Sequence, residues 1–199
     1  IPTAGWGYSW GNGIDWVSSA VVVPWMIYLF YDDVKILRDN YNLMKKLVDY
    51  VTRNSTGYLT DYGLGDWVPY KSVADKELMI SLFYYRDALL LSKIAGVVKN
   101  PSDSISYKRL SEKIKNAING KFLDKERGLY AAGLQSELCC PLYFGIVPED
   151  CRQKVADNLA RRVLADGKHL DVGLLGSKCL LEALSGNGYA DLAYELATQ

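Results

Sequence analysis

Apolar and polar residues along this chain follow a helical period for most of its length. In the stretch 34–51, apolar residues recur at steps of three and four, and charged residues such as Lys35 and Arg38 fill the positions between them. This spacing predicts a helix with one buried face and one face in water. In the stretch 14–31, by contrast, apolar residues occur on nearly every side, which predicts a helix that is buried all round.

The same pair of patterns recurs along the chain. Further apolar stretches lie at 77–98, 135–146 and 173–184, and charged or amphipathic stretches follow them at 105–122, 151–164 and 189–197. Prolines mark several of the boundaries, because a proline is tolerated in the first turn of a helix but disrupts its interior. Pro101 and Pro148 therefore predict helix starts, and Pro24 should either kink the first helix or mark its true beginning.

Alternation of this kind predicts helical hairpins in two concentric rings, with the fully buried helices inside and the one-sided helices outside. Six hairpins close such a ring, and about four are visible here. We therefore expect an all-α fold, an incomplete (α/α)6 barrel. Residues 1–199 would form part of a single domain that is truncated at both ends. The open edge of such a barrel exposes apolar surface and would favour self-association.

Composition and charge narrow the classes of function. Lys plus Arg and Asp plus Glu both number 23, and this balance argues against a nucleic-acid partner. The longest apolar run, 20–30, contains Pro24 and is too short to cross a bilayer, so we expect no membrane partner. His169 is the only histidine and no C-x-x-C motif occurs, so we predict no metal site and no cofactor. The sequence leaves undecided whether Cys151 or Cys179 forms a disulfide.

Four of the five tryptophans lie in glycine-rich segments without helical periodicity: Trp6, Trp10, Trp16 and Trp67. A loop tryptophan beside an aspartate offers a flat apolar plate next to a carboxylate. That combination suits a sugar ring, which has an apolar C–H face and a rim of hydroxyl groups. The alternative is that these indoles attach long loops to the core.

The loop carboxylates supply the polar half of the predicted sugar site. Asp66, next to Trp67, is the strongest candidate for binding sugar hydroxyls, and the alternative is that it caps a helix or a turn. Asp15, next to Trp16, is a second candidate. Asp61 and Asp171 fit turn positions better, and Glu137 is equally well explained by its place at the start of a helix.

Several stretches, taken in order, resemble the six-hairpin domain of bacterial α-L-rhamnosidases, glycoside hydrolase family 78. They are Asp15-Trp16 with the apolar run ending in Pro24-Trp25, then Tyr41 to Tyr50, Gly65-Asp66-Trp67, His169-Leu170 with Gly173-Leu174-Leu175-Gly176, and Ala190 to Tyr194. The likeness covers essentially the whole chain. No single motif decides it, but the ordered set is fairly specific.

The resemblance implies a glycoside hydrolase that removes terminal α-L-rhamnose by an inverting acid and base mechanism. In that family the general acid lies upstream of the matching region and the base lies downstream. No catalytic residue is therefore expected within 1–199, and the chain alone should be inactive. Substrate contacts are expected from five residues: Trp16, Asp66, Trp67, Asp15 and His169. The expected partner is a rhamnose-containing glycoside or polysaccharide.

One departure from the family pattern concerns the residue after the first of these tryptophans. The family typically has Trp-Gly-Asp-Ala where this chain has Trp16-Val17-Ser18-Ser19, so Ser18 replaces an acid. This replacement leaves room for two alternatives. One is a six-hairpin hydrolase acting on unsaturated uronic acids, for which Lys71 and Arg86 are the nearby cations. The other is a non-catalytic helical scaffold that binds sugar. The compartment also stays open, with a periplasmic or secreted protein as one alternative.

Overall fold

The computed structural model describes residues 13–198, and this part of the chain is mostly helical. Its helices are α1 (Ile14–Val17), α2 (Ser19–Tyr31), α3 (Val34–Asn54), α4 (Lys76–Val97), α5 (Pro101–Phe122), α6 (Gln135–Phe144), α7 (Glu149–Ala165), α8 (Leu174–Ser185) and α9 (Ala190–Ala197). Two short antiparallel strands, β1 (Leu123–Asp124) and β2 (Leu129–Tyr130), form a ribbon between α5 and α6. Trp6 and Trp10 lie outside the described residues.

The stretches predicted to be helical from their period form helices in the structure, but 14–31 forms two helices, α1 and α2, which are separated at Ser18. One of the two alternatives for Pro24 is wrong, because α2 does not begin there: it begins at Ser19, and Pro24 lies inside it. The carbonyl of Ser18 accepts hydrogen bonds from the backbone amides of Val21 and Val22 at 2.9 and 2.8 Å, so the first turn forms before the proline is reached.

The chain divides into two compact units, and the division falls within α4 and within α5. Of the described residues, one unit comprises 13–63 and 83–117, and the other comprises 64–82 and 118–198. In the first unit α2 packs on α3, whose buried side chains are those of Leu37, Met44, Val48 and Val51. In the second unit α6 packs against both α7 and α8, and α8 packs against α9.

Helix α2 differs from its prediction, since it is not buried all round. Val21 and Pro24 are buried, whereas Leu29 is 56% exposed and Phe30 is 75% exposed. The part of the chain that the structure describes covers only one face of this apolar helix. The self-association expected of an exposed apolar edge stays a prediction.

The combined stretch Ile14–Tyr31 is also long and apolar enough to cross a membrane, by length and composition alone. The expectation that no apolar run reaches such a length is therefore wrong, because Pro24 does not interrupt the helix. A core helix of a soluble protein can have the same length and hydropathy, so one such helix is a weak indication of a membrane span.

The four cysteines are all buried free thiols, so neither Cys151 nor Cys179 forms a disulfide here. Cys139 and Cys140 lie in α6, and Cys179 lies in α8. Burial raises the pKa of the Cys139 and Cys140 thiols, which keeps them protonated and unreactive. They act as the small hydrophobic residues that their sequence context predicts.

Candidate functional site

Asp66 holds the beginning of helix α8. Its side chain is only 6% exposed, and its two oxygens accept hydrogen bonds from the backbone amides of Gly173 at 2.7 Å, Leu175 at 2.9 Å and Gly176 at 2.9 Å. The Ser136 hydroxyl donates a fourth bond. A carboxylate has about four acceptor positions, so these donors fill the capacity of Asp66. They also satisfy amides that the first turn of a helix leaves without partners.

Glycine at position 173 allows the loop that carries Trp67 to lie directly against α8. A Cβ atom at Gly173 would stand 2.5 Å from the carbonyl oxygens of both Asp66 and Trp67, which is too close for any other residue. The backbone amide of Leu174 donates to the Trp67 carbonyl at 2.8 Å. The indole of Trp67 itself is partly exposed on a loop whose backbone is fixed at both ends.

Asp171 holds the next part of the same loop. Its Oδ1 accepts from the backbone amides of Lys71 at 2.8 Å and Ser72 at 3.1 Å, and its Oδ2 accepts from the Ser72 hydroxyl at 2.5 Å. Burial opposes the ionisation of Asp171, but the hydrogen bonds from Ser72 and Lys71 outweigh it and hold the pKa of the carboxyl below its ordinary value. Asp171 therefore stays charged and joins the loop 66–72 to the loop 166–173.

Glu137, in the first turn of α6, is a third carboxylate that fixes loop backbone through hydrogen bonds. Its Oε1 accepts from the backbone amide of Asp75 at 2.9 Å, and its Oε2 accepts from those of Ala132 at 2.9 Å and Leu134 at 3.0 Å. The side chain is 2% exposed, so this carboxylate is committed to backbone amides. The sequence left open whether Glu137 belongs to a sugar site or stabilises the start of a helix. The observed hydrogen bonds are those of a residue that stabilises a helix start.

Gln135 completes the set, and nothing in the sequence singled it out. The side chain is 1% exposed, and its amide nitrogen donates to the Asp166 carboxylate at 2.8 Å and to the His169 carbonyl at 2.9 Å. Its amide oxygen accepts from the backbone of Asp171 at 3.1 Å. The loop before α8 is thereby fixed on α6, while the ring of His169 lies exposed at the surface.

In the first unit, Asp15 and Trp16 lie on the short helix α1. The backbone amide of Ile14 donates to the Tyr62 carbonyl at 2.9 Å, which attaches α1 to the segment before Gly63. Asp15 is 8% exposed and Trp16 is partly exposed. Asp15 and Trp16 thus belong to one unit, and Asp66, Trp67 and His169 to the other.

Ser18, which replaces the acid of the family pattern, is bonded to a carboxyl group from another helix. Its hydroxyl donates to Oδ2 of Asp87 on α4 at 2.6 Å. Asp87 is wholly buried, and its Oδ1 has no hydrogen-bond partner among residues 13–198. Burial raises the pKa of Asp87 to about 7, against smaller lowering effects of the Ser18 hydrogen bond and of Arg86. The sequence signal for this residue was an acid in the interior of the apolar helix α4, and sequence reasoning did not single it out.

None of the described residues forms a group of three or more His, Cys, Asp or Glu side chains able to hold a metal ion. The candidate site of the second unit therefore consists of the loops 66–72 and 166–173, held by buried carboxylates and displaying Trp67 and His169. The sugar contact predicted for Asp66 stays a prediction, but the observed hydrogen bonds give that residue a structural task.

Comparison with known proteins gives a consistent result across the whole chain. The family model described as the bacterial alpha-L-rhamnosidase 6 hairpin glycosidase domain matches residues 1–199. An α-L-rhamnosidase of Streptomyces avermitilis is 29% identical over 191 residues, covering 95% of this chain and 18% of the relative. A second relative of that name, from Formosa agariphila, is 26% identical over 189 residues, covering 91% of this chain and 20% of the relative.

Solved structures agree with these relatives. The crystal structure of Streptomyces avermitilis α-L-rhamnosidase complexed with L-rhamnose matches 92% of this chain and 18% of that one, with a TM-score of 0.87 and 28% identity. The α-L-rhamnosidase from Dictyoglumus thermophilum matches 94% of this chain and 22% of that one, with a TM-score of 0.89 and 30% identity. The predicted all-α fold of the six-hairpin kind is confirmed, and the chain spans about a fifth of the length of these relatives.

Proposed function

Because this chain belongs to the six-hairpin glycosidase domain family of bacterial α-L-rhamnosidases, we propose that the protein containing it hydrolyses terminal α-L-rhamnosides. The observation that carries this proposal is the family match over residues 1–199, together with relatives that bear the name α-L-rhamnosidase. One matched structure holds L-rhamnose, which supports a carbohydrate substrate. An unsaturated uronyl hydrolase and a non-catalytic scaffold are not favoured by these relatives.

Residues 1–199 are proposed to form part of a single (α/α)6 catalytic domain. The family model that matches all of them describes one domain, which supports this proposal. The reaction is proposed to invert the configuration of the sugar, with the general acid and the general base contributed by residues outside 1–199. An inverting pair needs two carboxyl groups roughly 6.5–9.5 Å apart, with a water molecule between one of them and the sugar.

The carboxylates of the second unit support this placement of the acid and base. Asp66, Glu137 and Asp171 each accept at least three hydrogen bonds from protein donors, and all three are buried. A carboxylate committed in this way has little acceptor capacity left for a substrate or a water molecule. Their task in the proposed enzyme is to position loops, and Asp66 is a positioning residue for Trp67.

The sugar is proposed to meet the aromatic side chains of this chain. Trp67 would form one wall of the rhamnose site, with its indole against the C–H face of the ring. His169 would contribute from the loop before α8 in the same unit. Trp16 and Asp15, on α1 of the first unit, are also proposed to contact sugar. Each indole is partly exposed, and Trp67 stands on a loop whose backbone is fixed, which supports a preorganised contact.

We expect the isolated chain to leave p-nitrophenyl α-L-rhamnoside intact, because the proposed acid and base lie outside it. Release of nitrophenol is measured over hours with chain purified through two independent steps. The longer protein, assayed beside it, should release nitrophenol readily. Turnover that stays with the isolated chain through both purifications would contradict the proposed location of the catalytic pair.

Trp67→Ala, made in the longer protein, should lower kcat/KM for p-nitrophenyl α-L-rhamnoside by about ten- to a hundredfold, since stacking on an aromatic ring is lost. The melting temperature should change little, because the loop backbone is held by Asp66 and Gly173 and not by the indole. Tyr194→Ala is the matched control, because it removes an aromatic ring that is 73% exposed on α9. A variant that loses stability but keeps its kcat/KM per folded molecule would show that Trp67 only attaches the loop.

A further inference from the structure

A surface pocket of about 370 Å³ lies beside the two loops of the second unit. Its walls are formed by six residues: Tyr70, Lys71, Lys168, His169, Leu170 and Leu196. Most of them come from the loops that Asp171 and Gln135 hold in place. The pocket thus has a fixed backbone. Leu196 is buried and forms its apolar floor, whereas Tyr70 and Lys71 are exposed at its rim.

The preorganisation of this pocket is visible in three hydrogen bonds. The backbone of Lys71 donates to Asp171 at 2.8 Å, the carbonyl of His169 accepts from Gln135 at 2.9 Å, and the backbone of Asp171 donates to Gln135 at 3.1 Å. Both Asp171 and Gln135 are buried. The two walls of the pocket are therefore connected through buried polar groups, and a ligand would not have to order them.

The charges at the pocket are unbalanced. The Lys168 ammonium forms an ion pair with Glu195 at 2.5 Å, so it already has an anionic partner. The Lys71 ammonium forms no ion pair with any residue of the described chain. It lies over the Tyr70 ring, 5.2 Å from the ring centroid. Asp171 bonds the backbone of Lys71 and not its side chain. One cation beside one aromatic ring is thus left facing solvent.

We propose that this pocket binds a negatively charged sugar residue, with its ring on Tyr70 and its anionic group at Lys71. The proposal rests on the proposed function in one respect, that the ligand is a carbohydrate, and it extends the substrate class to acidic rhamnose-containing glycans. An exposed phenol ring offers the apolar face of a pyranose a surface to cover. The neighbouring ammonium supplies a charge-assisted hydrogen bond to a carboxylate or a sulfate ester.

The test measures the affinity of the chain for each of three small sugars by NMR or calorimetric titration. D-glucuronate carries a carboxylate, glucose 6-sulfate carries a sulfate ester and D-glucose is neutral. We expect at least one of the two anionic sugars to bind about five- to tenfold more tightly than glucose. The anionic sugar that binds more tightly identifies whether the natural group is a uronate or a sulfate ester.

Substitutions in the pocket test whether the preference for anionic sugars arises there. Lys71→Met should abolish the preference for the anionic sugars, and Tyr70→Ala should weaken the binding of all three sugars. Lys178→Met is the matched control, because it removes an exposed lysine of α8 outside the pocket, and it should keep the preference. All three positions are exposed, so the variants are expected to fold.

Three results would overturn the proposal: glucose binding as tightly as both anions, Lys71→Met keeping the preference, or inorganic sulfate binding as tightly as the anionic sugars. None of them bears on rhamnoside hydrolysis, because p-nitrophenyl α-L-rhamnoside carries no charged sugar. A longer protein that fails to hydrolyse that substrate would overturn the proposed function and leave the pocket measurement intact.

Discussion

Replacing Asp66 with alanine should lower the free energy of unfolding of this chain by about 3–5 kcal/mol, because several buried donors lose the same acceptor. Four donors lose their acceptor together: the amides of Gly173, Leu175 and Gly176 and the hydroxyl of Ser136. Each unsatisfied buried donor costs roughly 1–3 kcal/mol, reduced where water can reach it. The expected loss is therefore large for an exchange of one loop residue.

Urea unfolding followed by circular dichroism measures this effect. Asp66→Asn should cost less than Asp66→Ala, because the amide oxygen keeps one acceptor in place. Asp61→Ala, at an exposed position five residues earlier, serves as the control and should change stability by no more than about 0.5 kcal/mol. A cost below about 1 kcal/mol for Asp66→Ala would contradict the structural task assigned to this carboxylate.

The second large effect concerns pH and Asp87. Burial raises the pKa of Asp87 to about 7 in the folded chain, from an ordinary value of 3.8. Between these two values the folded state keeps a proton that the unfolded state releases, so stability falls as pH rises from about 4 to about 7. Above pH 7 the loss is complete, and it amounts to at most roughly 4 kcal/mol. Asp87→Asn has no such charge and should escape this loss.

The comparison of Asp87→Asn with the unchanged chain is therefore made from pH 4 to pH 8. At pH 8 the variant should be more stable by about 2–4 kcal/mol, because an uncharged amide replaces a buried carboxylate with one unpartnered oxygen. At pH 4 the difference should vanish or change sign, since Asp87 is then protonated. Asp61→Asn is the control for general charge effects. Parallel stability curves for Asp87→Asn and the unchanged chain would show that Asp87 is not the titrating group.

Local patterns in the sequence predict the helices, but they do not predict the hydrogen bonds that connect the loops. The three- and four-residue spacing of apolar residues in 34–51 predicts α3 directly, because helix period and burial are properties of neighbouring residues. The partners of Asp66, by contrast, are separated from it by 70 residues or more along the chain. Nothing local distinguishes a carboxylate that will meet a helix start from one that will meet a ligand.

Two predictions about α2 were wrong, its burial on all sides and the short length of its apolar run, and they also depend on more than local sequence. Apolar residues on all sides of 14–31 predict burial only if neighbouring helices are present to cover them, and the described chain covers one face. Asp87 was overlooked for the opposite reason. An acid in the interior of the apolar stretch 77–98 gives no local sign of its role, which depends on its hydrogen bond with Ser18. The resemblance at the ordered tryptophan and glycine motifs, in contrast, located the family correctly.

The buried acids of the second unit bond mostly to backbone amides, and this choice of partner has a consequence for variation among related enzymes. Asp66, Glu137 and Asp171 together accept from eight backbone N–H groups, which every residue except proline supplies. The path of the loops therefore does not depend on the side chains at positions such as 70 and 71. Mutation can exchange those side chains, and with them the chemistry of the pocket that they line, while the scaffold that presents them stays the same.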